Sequence, residues 1–179
     1  MAIKLDFSTF NLQDALDMAV LIEKEAEDRY LLIADQIGHR YPGDAANFFT
    51  MMARNEQRHG DEISERRRLL FGDAPSRVTA NMIESDIEAP DPGKAIRYMS
   101  QRHALEVAME SEIKAYEFYN SILPVIQDAT VRELIESLRD EEVEHQKLLN
   151  EQKAKYADTL ESDFDPEIDE PHIFHIPES

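Results

Sequence analysis

The 179 residues include no cysteine, no tryptophan and only five glycines, and basic side chains number 19 against 38 acidic ones. Without cysteine there is no disulfide, no thiolate nucleophile, no iron–sulfur cluster and no cysteine-ligated zinc. Few glycines and few β-branched runs argue against a β-rich fold. No apolar run approaches the roughly 20 residues of a membrane span, and the opening segment, Met1 to Phe10, lacks the apolar stretch of a secretory signal. These absences make the cytoplasm the expected location. A net charge of -19 repels phosphate, so neither nucleic acid nor an anionic membrane is expected as a partner. The same charge attracts cations, although it also serves plain solubility.

What is present is rich in helix formers: Glu, Leu, Ala, Met, Arg and Lys fill the long segments. Leu12, Ala15, Met18, Ala19, Ile22, Ala26, Tyr30 and Ile33 recur at three and four, which predicts a helix over 12–38 closed by Gly38. Asp44 is the natural cap of a second helix reaching about Phe71, whose terminal Arg66, Arg67 and Arg68 complement the helix dipole. Residues 72–93, with Pro75, Pro90 and Pro92, break the pattern around a short helix near 79–85. A third helix is expected from about Lys94 to Leu123, and a fourth, capped by Asp128, to about Tyr156.

The links set the topology. Short connections at 39–43 and 124–127 make two antiparallel hairpins. The intervening link of about 20 residues could extend to roughly 70 Å, against about 40 Å for a helix, so it has the length to cross the bundle end to end. The expected fold is therefore all-α, a ferritin-like four-helix bundle with a single long crossover, occupying residues 1–157. Residues 158–179 form an acidic tail with three Pro and no Lys or Arg.

The two halves repeat. Ala19, Glu23, Ala26 and Tyr30 recur 89 residues later as Ala108, Glu112, Ala115 and Tyr119, and Glu56-x-x-His59 recurs 86 later as Glu142-x-x-His145. Positions i and i+3 share a helix face, so each Glu can point inward with its His. With 22 Glu and 6 His, about 0.7 such pairs arise by chance; two pairs in register with a second repeat need another explanation. Glu23, Glu56, His59, Glu112, Glu142 and His145 make the donor set of a carboxylate-bridged dinuclear metal site, with Glu56 and Glu142 bridging and Glu23 and Glu112 terminal. Oxygen and imidazole donors suit iron or manganese, with zinc as a substitute. Four carboxylates offset the charge of two divalent ions.

The segments Glu23–Tyr30, Glu56-Gln-Arg-His59, Glu112–Tyr119 and Glu142-Val-Glu-His145 resemble the rubrerythrin branch of the ferritin-like superfamily over about residues 12–156. The resemblance implies a non-haem two-iron site that reacts with dioxygen or hydrogen peroxide, with those six residues as ligands and the four Glu in the catalytic role. It also implies at least a homodimer. Rubrerythrins typically add a rubredoxin-like module with four Cys, so an electron donor would have to come from outside this cysteine-free chain. They also typically carry a further Glu three residues after the helix-3 ligand, where this chain has Ala115. Ferrous oxidation, in which iron supplies its own electrons, needs neither feature.

The reading is thus an oxidoreductase of ferroxidase or peroxidase type, serving iron handling or oxidant defence. Two alternatives stay open: an iron storage or delivery protein, and a helical interaction protein stapled by metal. Tyr30 and Tyr119 are expected in the core with satisfied hydroxyls, beside the carboxylates. Glu27, one turn from Glu23, is expected to be a surface charge, and Met18, Met51, Met52 and Met109 to fill the core. His172 and His175 in the tail offer metal recruitment or docking, or simply a solvated strip.

Overall fold

Asn11 opens the first long helix. Its side chain accepts from the Asp14 backbone N–H and Asp14 accepts from the Asn11 N–H, a reciprocal cap worth about 1 kcal/mol. The computed structural model describes residues 5–40, 43–95 and 99–155, which form four α-helices and no strand: α1 Leu12–Ile37, α2 Ala45–Phe71, α3 Gln101–Ile122 and α4 Ala129–Lys155. Asp44 caps α2 by accepting from Asn47 N–H at 2.9 Å, and Asp128 receives Thr130 N–H at 2.8 Å at the start of α4. Gly38 ends α1 at φ 68°, a left-handed angle that a side chain would strain. No helix among the described residues is long and apolar enough to cross a membrane.

Two boundaries differ from expectation. The third helix begins at Gln101 rather than near Lys94, because Ser100 supplies the cap, accepting from His103 N–H at 3.1 Å. Pro92–Lys94 instead closes as one 3-10 turn behind Asp91. The short helix near 79–85 contracts to a single 3-10 turn, Ala80–Met82, with no side-chain cap to extend it. The crossover is thereby longer than the sequence suggests, running over 72–100. The tail, with His172 and His175, and the end of the last helix at Tyr156 lie outside the described residues.

Each hairpin is antiparallel. Asp17 near the start of α1 meets Arg67 near the end of α2 at 2.8 Å, while Tyr30 stacks on Phe49 at the opposite end. In the second hairpin, Glu106 of α3 meets Lys153 of α4 at 2.9 Å, and Arg132 donates back to the Leu123 carbonyl at 3.1 Å. The hairpins join through α1 against α4 and α2 against α3.

The apolar interior falls into two clusters. Leu16, Met18 and Ile22 of α1 pack with Ile122 of α3 and with Leu134, Ile135 and Leu138 of α4. At the other end Tyr30, Ile33 and Ile37 pack with Phe49, Met52, Leu105 and Leu149. Every helix passes from one cluster toward the other, and at the crossing level each carries a buried Glu: Glu23, Glu56, Glu112 and Glu142. Burying a side chain of this size without compensation costs several kcal/mol, so the waist is not a packing solution. Met18 and Met52 do fill the core and Met109 packs against it, but Met51 is 48% exposed, on the outer face of α2.

Candidate metal centre

The four Glu and two His converge as two triads. One donor atom from each of Glu23, Glu56 and His59 lies within 4.8 Å of the others, and the same holds for Glu112, Glu142 and His145. One hairpin builds each triad, so the sequence repeat becomes a spatial one. His145 Nδ1 stands 3.0 Å from Glu112 Oε2 and 3.4 Å from Glu142 Oε2; His59 Nδ1 stands 3.8 Å from Glu56 Oε2. The two imidazoles stack across the hairpin boundary. Gln146 donates to the Glu112 carbonyl at 3.2 Å, and Arg58 lies 3.1 Å from His59 Nε2.

Gly60 allows the first triad to close. A Cβ there would meet the Glu23 Cβ at 3.3 Å, tighter than ordinary van der Waals contact, so α1 and α2 pack closely here because a side chain is missing. Glu27 is not part of either triad; it pairs with Lys24 at 2.8 Å, but its side chain is only 13% exposed, less than expected of a surface charge.

Crowding sets the protonation. Burial, followed by the charges of Glu56 and Glu142, pushes the Glu23 carboxyl well above its usual range. Burial and the facing Glu112 push Glu56 up to about 7, and burial pushes Glu142 up to about 9. For His145, burial opposes the charged ring, but the hydrogen bond to Glu112 and the close Glu142 carboxylate outweigh it and raise the ring to about 11. His59 moves the other way, lowered by burial and then by the charge of His145.

Most of the buried oxygens have no protein partner of ordinary hydrogen-bond geometry. Glu23 Oε2, both oxygens of Glu56, Glu112 Oε1 and Glu142 Oε2 are all orphaned. Native interiors leave only a few such atoms per hundred residues, so five converging at one level call for an explanation. Hard oxygen donors with two imidazoles, unsatisfied and facing each other, fit a pair of divalent cations.

Two grooves reach the centre between α2 and α4. One, about 400 Å³, is bounded by Arg58, His59, Glu62, Arg66 and Glu141. The other, about 190 Å³ and mostly apolar, is bounded by Phe48, Met51, Met52 and Leu149 and ends on Glu56 and His145.

The rubrerythrin family model matches residues 14–166. The chain belongs to the rubrerythrin family. Among solved structures, an uncharacterized conserved protein from Magnetospirillum magnetotacticum is 31% identical, covering 82% of this chain and 95% of its own with a TM-score of 0.60. A hypothetical protein from Pyrococcus furiosus is 18% identical over 81% of this chain and 89% of its own, with a TM-score of 0.46. No curated protein matches. Membership of the rubrerythrin family accords with the ferritin-like bundle and with a metal site at the two triads.

Sequence reasoning missed three features of this rubrerythrin-family waist. Tyr30 and Tyr119 are fully buried as expected, but neither hydroxyl has a protein partner; Tyr30 lies near Ser111 without closing a bond of ordinary geometry. Gly60, next to His59, reads as an ordinary helical glycine until α1 is laid against it. Glu88, in the crossover, is as buried as the triad carboxylates. Its one sequence signal is a lone Glu among Ile87, Ala89 and Pro90.

Proposed function

We propose that this chain binds two iron ions at the waist of the bundle and is an oxidoreductase that consumes dioxygen or hydrogen peroxide, in iron handling or oxidant defence. Glu23, Glu56 and His59 hold one ion, and Glu112, Glu142 and His145 the other. Glu56 and Glu142 would be the carboxylates shared between the ions; Glu56 and Glu112 act on each other's charge across the hairpin boundary, as do Glu142 and Glu23. When bound, two ferrous ions would supply the electrons that reduce dioxygen or peroxide. The observation that carries the reading is the orphaned carboxylate layer: five buried oxygens from four helices, converging without partners.

The chain's own residues account for the rest. Four carboxylates set the charge of the centre against that of two divalent ions. His145 gives up its proton as its nitrogen becomes a ligand. The apolar groove at Met52 and Leu149 admits a small uncharged molecule to Glu56 and His145. Apolar clusters above and below the waist exclude bulk water from the carboxylates.

Anaerobic titration with Fe(II), followed by stopped-flow mixing with dioxygen and separately with peroxide, tests this. Two irons per chain and rapid oxidation, both lost in Glu56→Gln and Glu142→Gln, are expected. Unimpaired oxidation in those variants, or a single redox-silent ion per chain, would refute it.

A further inference from the structure

We propose that Glu88, delivered by the crossover between α2 and α3, is a fifth carboxylate ligand of the two-metal centre. The proposal rests on the two-iron reading and extends its donor set to seven side chains.

The crossover does not merely pass over the bundle. From Ile87 to Pro90 it is buried, and Glu88 is 1% exposed. Its neighbours fasten it on both sides. Asp86 takes a left-handed φ of 67°, pairs with Arg29 of α1 at 2.8 Å, and donates its N–H to Glu25 at 3.3 Å. Lys114 of α3 donates to the Ala89 carbonyl at 2.7 Å. Glu88 is therefore fixed between the helices that carry Glu23 and Glu112. Asp is among the few residues that tolerate the left-handed turn that Asp86 makes here.

Neither carboxylate oxygen of Glu88 has a hydrogen-bond partner. Glu88 lies near enough to Glu56 for each to sense the other, yet no bond of ordinary geometry joins them. Burial is the main cost to its charged form, and all four carboxylates of the centre add repulsion. Its charge also falls on the Tyr119 hydroxyl, ahead of that of any other carboxylate. A crossover that only needed to plug the bundle would place an apolar side chain here, as it does at Ile87 and Ala89. A cation at the centre would screen this repulsion, give the orphaned oxygens a partner and offset the cost of burial. The helix itself offers no carboxylate at this level beyond Glu112: three residues on stands Ala115, fully buried.

Glu88→Gln tests this, because glutamine keeps the shape and neutral hydrogen-bonding capacity of the protonated acid but is a poor ligand. The full chain, freed of metal with chelator, is titrated anaerobically with Co(II) by calorimetry and visible absorption, and the metal-free form is melted. Wild type should take two Co(II) per chain. Glu88→Gln should bind the weaker ion at least tenfold less tightly, with altered absorption, while its metal-free form melts no lower than wild type. Wild-type affinity and spectrum in Glu88→Gln would overturn the role of Glu88 alone. Failure of the wild type to bind two ions would overturn the two-iron reading together with it.

Discussion

The imidazole rings of His59 and His145 lie parallel, with centroids 5.1 Å apart and planes 3° apart. They come from equivalent positions of the two hairpins, so their stack marks the boundary between the halves. Their geometry is symmetric but their charge is not. His145 is held protonated to about 11 by Glu112 and Glu142 against the effect of burial, while burial and the His145 charge lower His59. In the metal-free protein the His145 ring thus sits as a cation between the Glu112 and Glu142 carboxyls, where a metal ion would take its place. Binding there must expel a proton, whereas the His59 nitrogen is already free to bind.

Metal affinity should therefore rise with pH while the stability of the metal-free protein falls. His145 is raised from 6.5, so its contribution is complete below about that pH and fades as pH climbs toward 11. Glu56 and Glu142, raised from 4.5 to about 7 and about 9, favour the fold when protonated and lose that contribution over the same ascent. The depressed carboxyls Glu65, Glu106 and Asp128 act in the opposite sense only in the acid range below their ordinary values, and lowered His59 does so only below about 6.5, where the raised Glu23, Glu56 and Glu142 outnumber it. Thermal melts of chelated protein between pH 5 and 9 should show a monotonic fall in Tm, and Mn(II) should restore more of it at pH 8 than at pH 6. A flat or rising Tm without metal would contradict the assignment.

Glu142→Gln separates the two effects. Glutamine mimics the protonated acid, so at pH 5 the variant should unfold like the wild type. Near pH 9, where the wild-type carboxyl is ionising inside the bundle, the metal-free variant should be more stable, by roughly 1–2 kcal/mol in urea titrations. Its Mn(II) affinity should drop at least tenfold, and ferrous oxidation should be lost. A variant that is destabilised at pH 9 would mean that the ionised carboxylate is satisfied by the protein.

Gly60→Ala should tax the centre more than the fold. Alanine favours a helix interior by about 1 kcal/mol over glycine, which offsets the push of the new Cβ against the Glu23 Cβ at 3.3 Å. Net stability should stay within about 1 kcal/mol of wild type. Displacing Glu23 by a few tenths of an ångström should nonetheless weaken binding at the first triad. Calorimetric titration with Co(II) should show one of two sites weakened and the other intact; equal loss at both sites would mean that the triads are not independent.

The periodicity of Leu12, Ala15, Met18 and Ile22 and the capping residues Asp44 and Asp128 made the bundle readable before any coordinates, and the 89- and 86-residue repeats placed all six triad residues. These signals are local: a helix face, a cap, an i,i+3 pair. One feature that escaped is local as well: the helix α3 starts at Gln101 rather than near Lys94 because Ser100 supplies its cap, while Pro92–Lys94 closes as a separate 3-10 turn. The others depend on neighbours distant in sequence. Glu88 belongs to a segment with no periodicity, and its apolar neighbours Ile87, Ala89 and Pro90 alone are too weak a signal to separate it from the exposed Glu84. Met51, placed in the core by residue type, lies outside because α2 turns its Met52 face inward.

Tyr119→Phe should behave unlike an ordinary buried tyrosine. Removing a hydrogen-bonded buried hydroxyl usually costs about 1 kcal/mol. Here the hydroxyl is fully buried with no protein partner, and burial and then the Glu88 charge raise its ionisation well above normal, so the neutral phenol pays desolvation without return. Its removal from the metal-free protein should be neutral or stabilising, by up to about 1 kcal/mol in urea titration. With the centre filled, carboxylates drawn toward the ions leave the phenol a proton acceptor within reach, and the balance should invert. The metal-bound variant should then unfold more readily than the metal-bound wild type, with two ions still held per chain. A loss of stability in the metal-free variant equal to that in the loaded one would show that Tyr119 already has its partner without metal.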